Sequence, residues 1–347
     1  MPKKHTSWFA VRKELPPRVG KLLALFSFLL PILIWSLVSY VPIFWHPGVI
    51  ISDGGDSIYD TGDYVEKEVF AETNAELTES GEVLAKGRPS NPIYLPAPHK
   101  VVTAFYRAFT TPPRRSDQPW LHESLWMSIK VIFYAFTLSS LFGIPLGILC
   151  GTFDFFKRLH EPFIEFFRYL PAPTFGALAI AVLGIEQAPK IAIVFIGTFF
   201  QQVLVISSTT AKLDLSLLEA AQTLGASRFQ LLTRVIIPGI LPDLHRDQRI
   251  LLGWAWTYLI VAEAVGSITG ITWFIEQQGK YRIYDNVFAA IVMIGILGLI
   301  CDWFLLEIGK LMFPWKGERA NPLFRGIATL FRDNNRLPPG ETPEPSE

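Results

Sequence analysis

Charge is scarce in this sequence. Only 18% of its 347 residues are Asp, Glu, Lys or Arg, against about 25% in a soluble domain. That leaves too little polar surface to cover a water-facing core of this size. The charges also cancel, 31 basic against 31 acidic, so there is no polycationic footprint for nucleic acid. Cysteine is nearly absent: Cys150 and Cys301 both lie inside apolar runs, which excludes a disulfide framework and a cysteine-rich zinc site. The histidines (His5, His46, His99, His122, His160 and His245) are scattered, and none falls inside a long apolar run. No His-Glu-x-x-His or Gly-x-Ser-x-Gly pattern occurs, and no Gly-rich loop ending in Lys-Ser/Thr is present to cradle ATP phosphates. The sequence therefore offers no catalytic residues, no metal ligands and no cofactor site of its own. An enzyme is not expected.

What is abundant is apolar length. Half the residues are hydrophobic and 14% are aromatic, with a mean hydropathy of +0.33. A helix crosses the hydrocarbon core in about 20 apolar residues, because every backbone polar group must be bonded within the segment. Six runs qualify: Leu22–Phe44, Leu125–Phe153, Phe163–Leu183, Ile191–Thr210, Ile250–Ile268 and Val287–Phe313. The expected fold class is all-α, a polytopic membrane protein of six transmembrane helices. The first run is too long for a signal-peptide core and lacks a small-residue cleavage site, so it reads as a retained anchor.

Basic residues orient the spans. Lys3, Lys4, Arg12, Lys13, Arg18 and Lys21 precede the first. Lys157 and Arg158, then Lys212, Arg228, Arg234, Arg246 and Arg249, then Lys310, Lys316 and Arg319 fall on the same side. The short loops opposite hold Lys190, Lys280 and Arg282. Both termini are expected in the cytoplasm. The organisation is then a cytoplasmic segment over 1–21, the first span over 22–44 and a long outer loop over 45–123. A five-helix core over 124–315 and a cytoplasmic tail over 316–347 complete it. Between Asp53 and Glu82 the loop carries ten acidic residues and one basic one, Lys67. With few large apolar side chains it is expected to be flexible or lightly structured. In the tail, Asn321 to Arg332 reads as an interfacial amphipathic helix.

The polar stretch between the fourth and fifth spans, 213–244, is the most informative. Ser216 and Glu219 stand at capping-box spacing, and Gly225 is the natural left-handed stop for the helix they begin. Ser227 and Gln230 form a second capping box, and that helix is expected to run out at Pro238. The result is a helix–turn–helix between two spans. Ala220 and Ala221 leave one of its sides flat enough for another surface to approach.

These residues resemble a known family. Glu219-Ala220-Ala221, Gly225 and Val235-x-Ile237-Pro238 fall at the spacing of the EAA motif of bacterial ABC-importer permeases. Leu95-Pro96-Ala97-Pro98, Gly143-Ile144-Pro145-Leu146-Gly147, Leu224-Gly225-Ala226-Ser227-Arg228 and Val261-Ala262-Glu263 look like its nitrate/sulfonate/taurine/bicarbonate branch. The likeness runs from about Leu95 to Trp315. An acidic insert longer than usual and a more charged Asp243–Gln248 depart from the pattern. The resemblance implies a multi-pass subunit of the bacterial inner membrane, paired with a second copy and served by a periplasmic binding protein. It implies that Glu219, Ala220, Ala221, Gly225, Arg228 and Pro238 meet a cytoplasmic ATPase dimer, which itself binds ATP and magnesium. The solute would be small and anionic; a neutral metabolite or vitamin precursor is the alternative, and a channel without an ATPase a more distant one.

Several residues stay open between roles. Glu219 caps its helix, or caps it and also meets the ATPase. Gly143, Gly147 and Gly151 let helices pack closely, or line the path. Gln201 and Gln202 bond between helices or face the translocation path. Glu263, a carboxylate in a span, needs a partner or water and is a structural pair, a path wall or a substrate contact.

Overall fold

Helices account for most of the chain, because long apolar runs and few breakers let each backbone bond itself. The computed structural model describes residues 15–41, 44–113, 119–265 and 269–316. The expected amphipathic helix at Asn321–Arg332 lies outside them. Helix α1 spans Pro17–Tyr40, and a short sheet follows: β1 (Gly48–Asp53), β2 (Tyr64–Glu66), then α2 (Lys67–Ser80) and β3 (Lys86–Ser90). Helices α3 (Pro98–Thr110), α4 (Leu121–Thr152), α5 (Asp154–Arg168), α6 (Gly176–Leu183) and α7 (Ala188–Ala211) come next. They are followed by α8 (Leu215–Thr223), α9 (Arg228–Gln230), α10 (Ile237–Ala264), α11 (Ile271–Lys280) and α12 (Tyr284–Met312). The chain divides into two units, one of residues 1–114 with 275–290, the other of 115–274 with 291–347.

The first unit corrects an expectation. The acidic insert is a folded antiparallel sheet in the order β2-β1-β3, covered by α2. It succeeds with few apolar residues because they alternate: Val49 and Ile51 of β1 are buried with Val65, Leu77 and Ala85, while the acidic side chains turn outward. Asn74 adds a strand-like clamp, its amide bonding both the N–H and the C=O of Ala85 at 2.9 and 3.1 Å. Asp56 accepts from the N–H of Val83 at 2.8 Å. Counting large side chains missed these side chain–backbone bonds. Elsewhere in this unit Trp35 stacks on Phe288 and donates to Pro96 O at 3.0 Å.

The second unit is built on α7, which packs against α4 and α10. Its buried positions, among them Val194, Thr198, Gln202, Val203 and Ile206, recur at helical spacing. The α4 glycines face it. A Cβ at Gly147 would lie 2.8 Å from Ile206 Cβ and 2.9 Å from the Val203 carbonyl, so α7 occupies the space a side chain would need. The stripe thus serves packing within the chain.

Among the described residues four helices are long and apolar enough to cross a membrane: Arg18–Tyr40, Leu121–Thr152, Ala188–Ala211 and Tyr284–Met312. Six were expected. The third expected run is a pair, Asp154–Arg168 and Ala172–Leu183, bent by 88°; counted as one span it makes five. Pro171 explains the break, since it offers no N–H and disfavours helical geometry at Leu170, and the chain restarts in a 3-10 turn at Ala172–Phe175, where Pro173 fits the first turn. The fifth expected run belongs to α10, which starts at Ile237 and carries Asp243, Arg246, Asp247 and Arg249 in its first half.

Candidate functional site: a helix–turn–helix joined to three long helices

The helix–turn–helix forms, with a different cap. Asp214, not Ser216, is the N-cap of α8; its backbone is extended and its Oδ1 accepts from the N–H of Ser216 at 3.0 Å. Asp214 stands one position before the first helical residue, where a short acceptor reaches the second and third N–H groups. The Ser216–Glu219 box is therefore replaced, and the Glu219 carboxylate stays exposed and outside the cap. The N–H of Ser216 also holds the Asp214 carboxyl below the usual carboxylate range.

The stop at Gly225 is as expected. Its φ is +82°, the N–H of Ala226 reaches Ala221 O at 3.0 Å, and the N–H of Gly225 reaches Gln222 O at 2.8 Å. Those two bonds make a Schellman turn, which needs a left-handed residue where glycine costs least. The Ser227–Gln230 box forms reciprocally, at 2.8 and 3.3 Å. The helix does not end at Pro238. Leu231–Ile236 widens into a π-helix, and Pro238 sits in the first turn of α10. In that position its missing N–H costs little, and the wider turn accommodates the ring.

Of the singled-out residues, Glu219, Ala220, Gly225, Arg228 and Pro238 are exposed and Ala221 is half-buried. The sequence reading missed the apolar side chains beside them. Leu224 is 87% exposed and Phe229 73%, with Leu215 and Leu217 also open. Their signal was available: they fall off the stripe of Leu218, Leu231 and Leu232 that turns inward. An apolar patch of this kind marks an interaction surface. On the inner side, Leu213, Leu218 and Leu232 pack on a cluster of Ile148 (α4), Ile206 (α7), Ile236, Ile240 and Leu244. The segment from Leu213 to Leu232 thus packs against a cluster to which three long helices contribute.

Deeper in the second unit lie two polar nodes. Gln202 is fully buried; its Oε1 accepts from Ser139 Oγ and its Nε2 donates to Ser140 Oγ and Gln248 Oε1 at 2.9 and 2.6 Å. It ties α4, α7 and α10 together. Gln201, about 100° round the same helix, is half-buried and shares none of these bonds. Glu263 is 2% exposed. It accepts from Ser128 Oγ and, at 2.9 Å, from the N–H of Thr272, while Ser128 Oγ accepts from the N–H of Ile271 at 2.9 Å. The carboxylate therefore cross-links α4, α10 and the start of α11. Lys190, which the sequence assigned to a short loop, is buried and donates to Thr269 O and Oγ1 at 3.1 and 2.8 Å. No metal-holding group of His, Cys, Asp or Glu occurs among the described residues.

Residues 143–310 match the family described as "Binding-protein-dependent transport system inner membrane component". A probable ABC transporter permease protein of Brucella abortus (strain 2308) is 33% identical over 196 residues, 56% of this chain and 78% of the relative. The taurine transport system permease protein TauC of Escherichia coli (strain K12) is 29% identical, covering 66% and 82%. The nitrate import permease protein NrtB of Synechocystis sp. is 23% identical, covering 67% and 84%. Among solved structures, the inward-facing MetNI methionine ABC transporter aligns at TM-score 0.50 and 20% identity. That alignment covers 55% of this chain and 95% of the other, a likeness of fold alone. This chain is a member of the binding-protein-dependent ABC-transport family of inner-membrane permease components.

Proposed function

We propose that this permease forms, with a second copy of itself, the path for a small anionic solute delivered by a periplasmic binding protein. A separate cytoplasmic ATPase dimer, holding ATP and magnesium, drives it through residues 216–238; the permease needs no cofactor of its own. We place both termini in the cytoplasm, the side on which the basic flanks cluster. The observation that carries the coupling reading is the two-sided character of α8. Its outer side, with the Gly225 turn and α9 beside it, offers Leu217, Leu224 and Phe229 to a partner, and on the inner side Leu218 packs on the cluster to which α4, α7 and α10 contribute. A push on α8 then moves three long helices at once, giving the ATPase differential contacts with two states. Glu219 and Arg228, exposed beside the patch, supply polar rim contacts, and Gly225 and Pro238 set its shape. Gln201 and Gln202 line or brace the path at mid-membrane, and Glu263 holds its α10–α11 end. The anionic solute rests on the relatives named for taurine and nitrate.

The test is Gly225→Trp. A side chain there meets open space within the chain, so the protein inserts in the membrane, while the left-handed turn and the docking surface are spoiled. Uptake and ATPase co-purification are lost together. Normal uptake by this variant would sink the coupling assignment.

A further inference from the structure

Helix α5 carries three different faces. Phe156, His160, Ile164 and Phe167 turn inward, and Ile164 packs in a cluster with Cys150 of α4 and Val203 of α7. Phe155, Leu159, Phe163 and Phe166 form an exposed apolar stripe. Between them lies a charged face about 100° wide, formed by Asp154, Lys157, Arg158, Glu161, Glu165 and Arg168. We propose that this face lines the water-filled path through the membrane, and that Arg168 is the group on it that meets the anionic solute. The inference rests on the reading of this chain as the path-forming subunit for an anion.

Depth carries the argument. Helix α7 is long and apolar enough to cross a membrane, and α5 runs antiparallel along it. Glu161 accepts from Ser207 Oγ at 2.7 Å, Ile164 packs with Val203, and the Phe167 and Phe200 rings stack with centroids 5.2 Å apart. Phe200 stands near the middle of Ala188–Ala211, about 17 Å from either end. Arg168 follows Phe167 directly, and Glu165 lies within one turn of it. Both therefore sit close to mid-bilayer, and both are exposed. The headgroup layers are about 15 Å away on either side, beyond the reach of either side chain. An ionised group at that depth faces a water-filled cavity or a partner charge rather than lipid.

The charges near the start of α5 are occupied. Arg158 is paired with Asp154 at 2.6 Å, and Glu161 is bonded to Ser207. Arg168 and Glu165 form no ion pair among the described residues, with each other or with any other group. The Arg168 guanidinium lies 4.9 Å over the Tyr169 ring and donates to Tyr169 Oη at 3.0 Å, which leaves most of its N–H groups free. The deepest charge on the face is thus a cation held open by an aromatic ring. Its planar fork suits the oxygens of a small oxyanion.

The test uses the full chain in native-membrane vesicles of both orientations, with Cys150 and Cys301 replaced by alanine. Single cysteines are exposed to membrane-impermeant methanethiosulfonates, which react with a thiol that ionises in water and not with one in hydrocarbon. Arg168→Cys and Glu165→Cys are labelled, while Phe163→Cys and Phe166→Cys, at similar depth on the apolar stripe, resist. At Glu165→Cys the anionic sulfonatoethyl reagent outpaces the cationic trimethylammonium one, each relative to its rate with a free thiol. Adding Arg168→Gln lowers that preference by about tenfold, through loss of the neighbouring charge; a merely structural arginine leaves the ratio unmoved. Tyr169→Cys takes over as reporter should Glu165→Cys fail to reach the membrane. Unlabelled Arg168→Cys and Glu165→Cys, equal labelling of the phenylalanine positions, or a preference untouched by Arg168→Gln overturns the proposal. Each of these results is compatible with ATPase co-purification and with loss of uptake in Gly225→Trp, so this inference fails separately from the transport reading.

Discussion

The glycine face of α4 permits a graded test of the helix pairing at the centre of the second unit. Alanine in place of glycine inside a helix gains about 1 kcal/mol from backbone propensity. Against it stands the cost of forcing a methyl into occupied space, about 1–3 kcal/mol, and the three positions differ in what they meet. At Gly143 the nearest atom is Gln202 Oε1 at 3.2 Å, so that hydrogen-bonded side chain must shift by only a few tenths of an ångström and no backbone need move. At Gly147 the Val203 carbonyl stands at 2.9 Å beside Ile206 Cβ. At Gly151 the Ser207 carbonyl stands at 2.5 Å and Thr210 Cβ at 2.6 Å, so the α7 backbone itself must retreat. A retreat of 0.5–1 Å forfeits about a quarter to a half of each dispersion contact along the pair. Gly143→Ala is therefore expected to be neutral or slightly stabilising, Gly147→Ala intermediate, and Gly151→Ala destabilising by about 2 kcal/mol. In a unit of this size that is a fall of about 4–8 °C in melting temperature. Tryptophan-fluorescence melts in one detergent read the series. If Gly151→Ala melts at or above Gly143→Ala, the close pairing of α4 with α7 is refuted.

Other predictions follow from the polar geometry. Glu263→Gln replaces one of two acceptor oxygens with a donor facing an N–H or O–H, at a cost of about 1–3 kcal/mol. Ser128→Ala strands the same network, so the double variant loses much less than the two single losses added; additive melting shifts would show that the two do not act as a unit. The depressed carboxyl of Asp214 contributes to α8 above the ordinary carboxylate pKa of about 4. That contribution is lost as pH falls through the lower folded value. Protection factors at the α8 amides, corrected for intrinsic exchange at each pH, should fall in acid, and Asp214→Asn, an equally good cap, should remove that fall. An unchanged acid response in Asp214→Asn would place the sensitivity elsewhere.

Class and helicity were fixed by the sequence itself, because low charge density and apolar runs of about 20 residues admit few alternatives to membrane helices. The turn at Gly225 and the Ser227–Gln230 box were legible for the same reason: each is a contact between residues at most five apart, so spacing contains the geometry. The cap of α8 was misassigned because Asp214 and Ser216 are both good acceptors, and only the backbone angles decide which one faces the free N–H groups. The sheet within the acidic insert was hidden because Asn74 with Ala85, and Asp56 with Val83, pair at separations that no local pattern reveals. The passage of α10 through Pro238 depended on a π-turn set by packing, and the bend after α5 on prolines whose effect on direction sequence does not give. Tertiary structure alone brought Glu263 to Ser128, 135 residues apart, and Gln202 to Gln248. A buried polar group must find a partner, and which partner it finds is decided by how the helices pack.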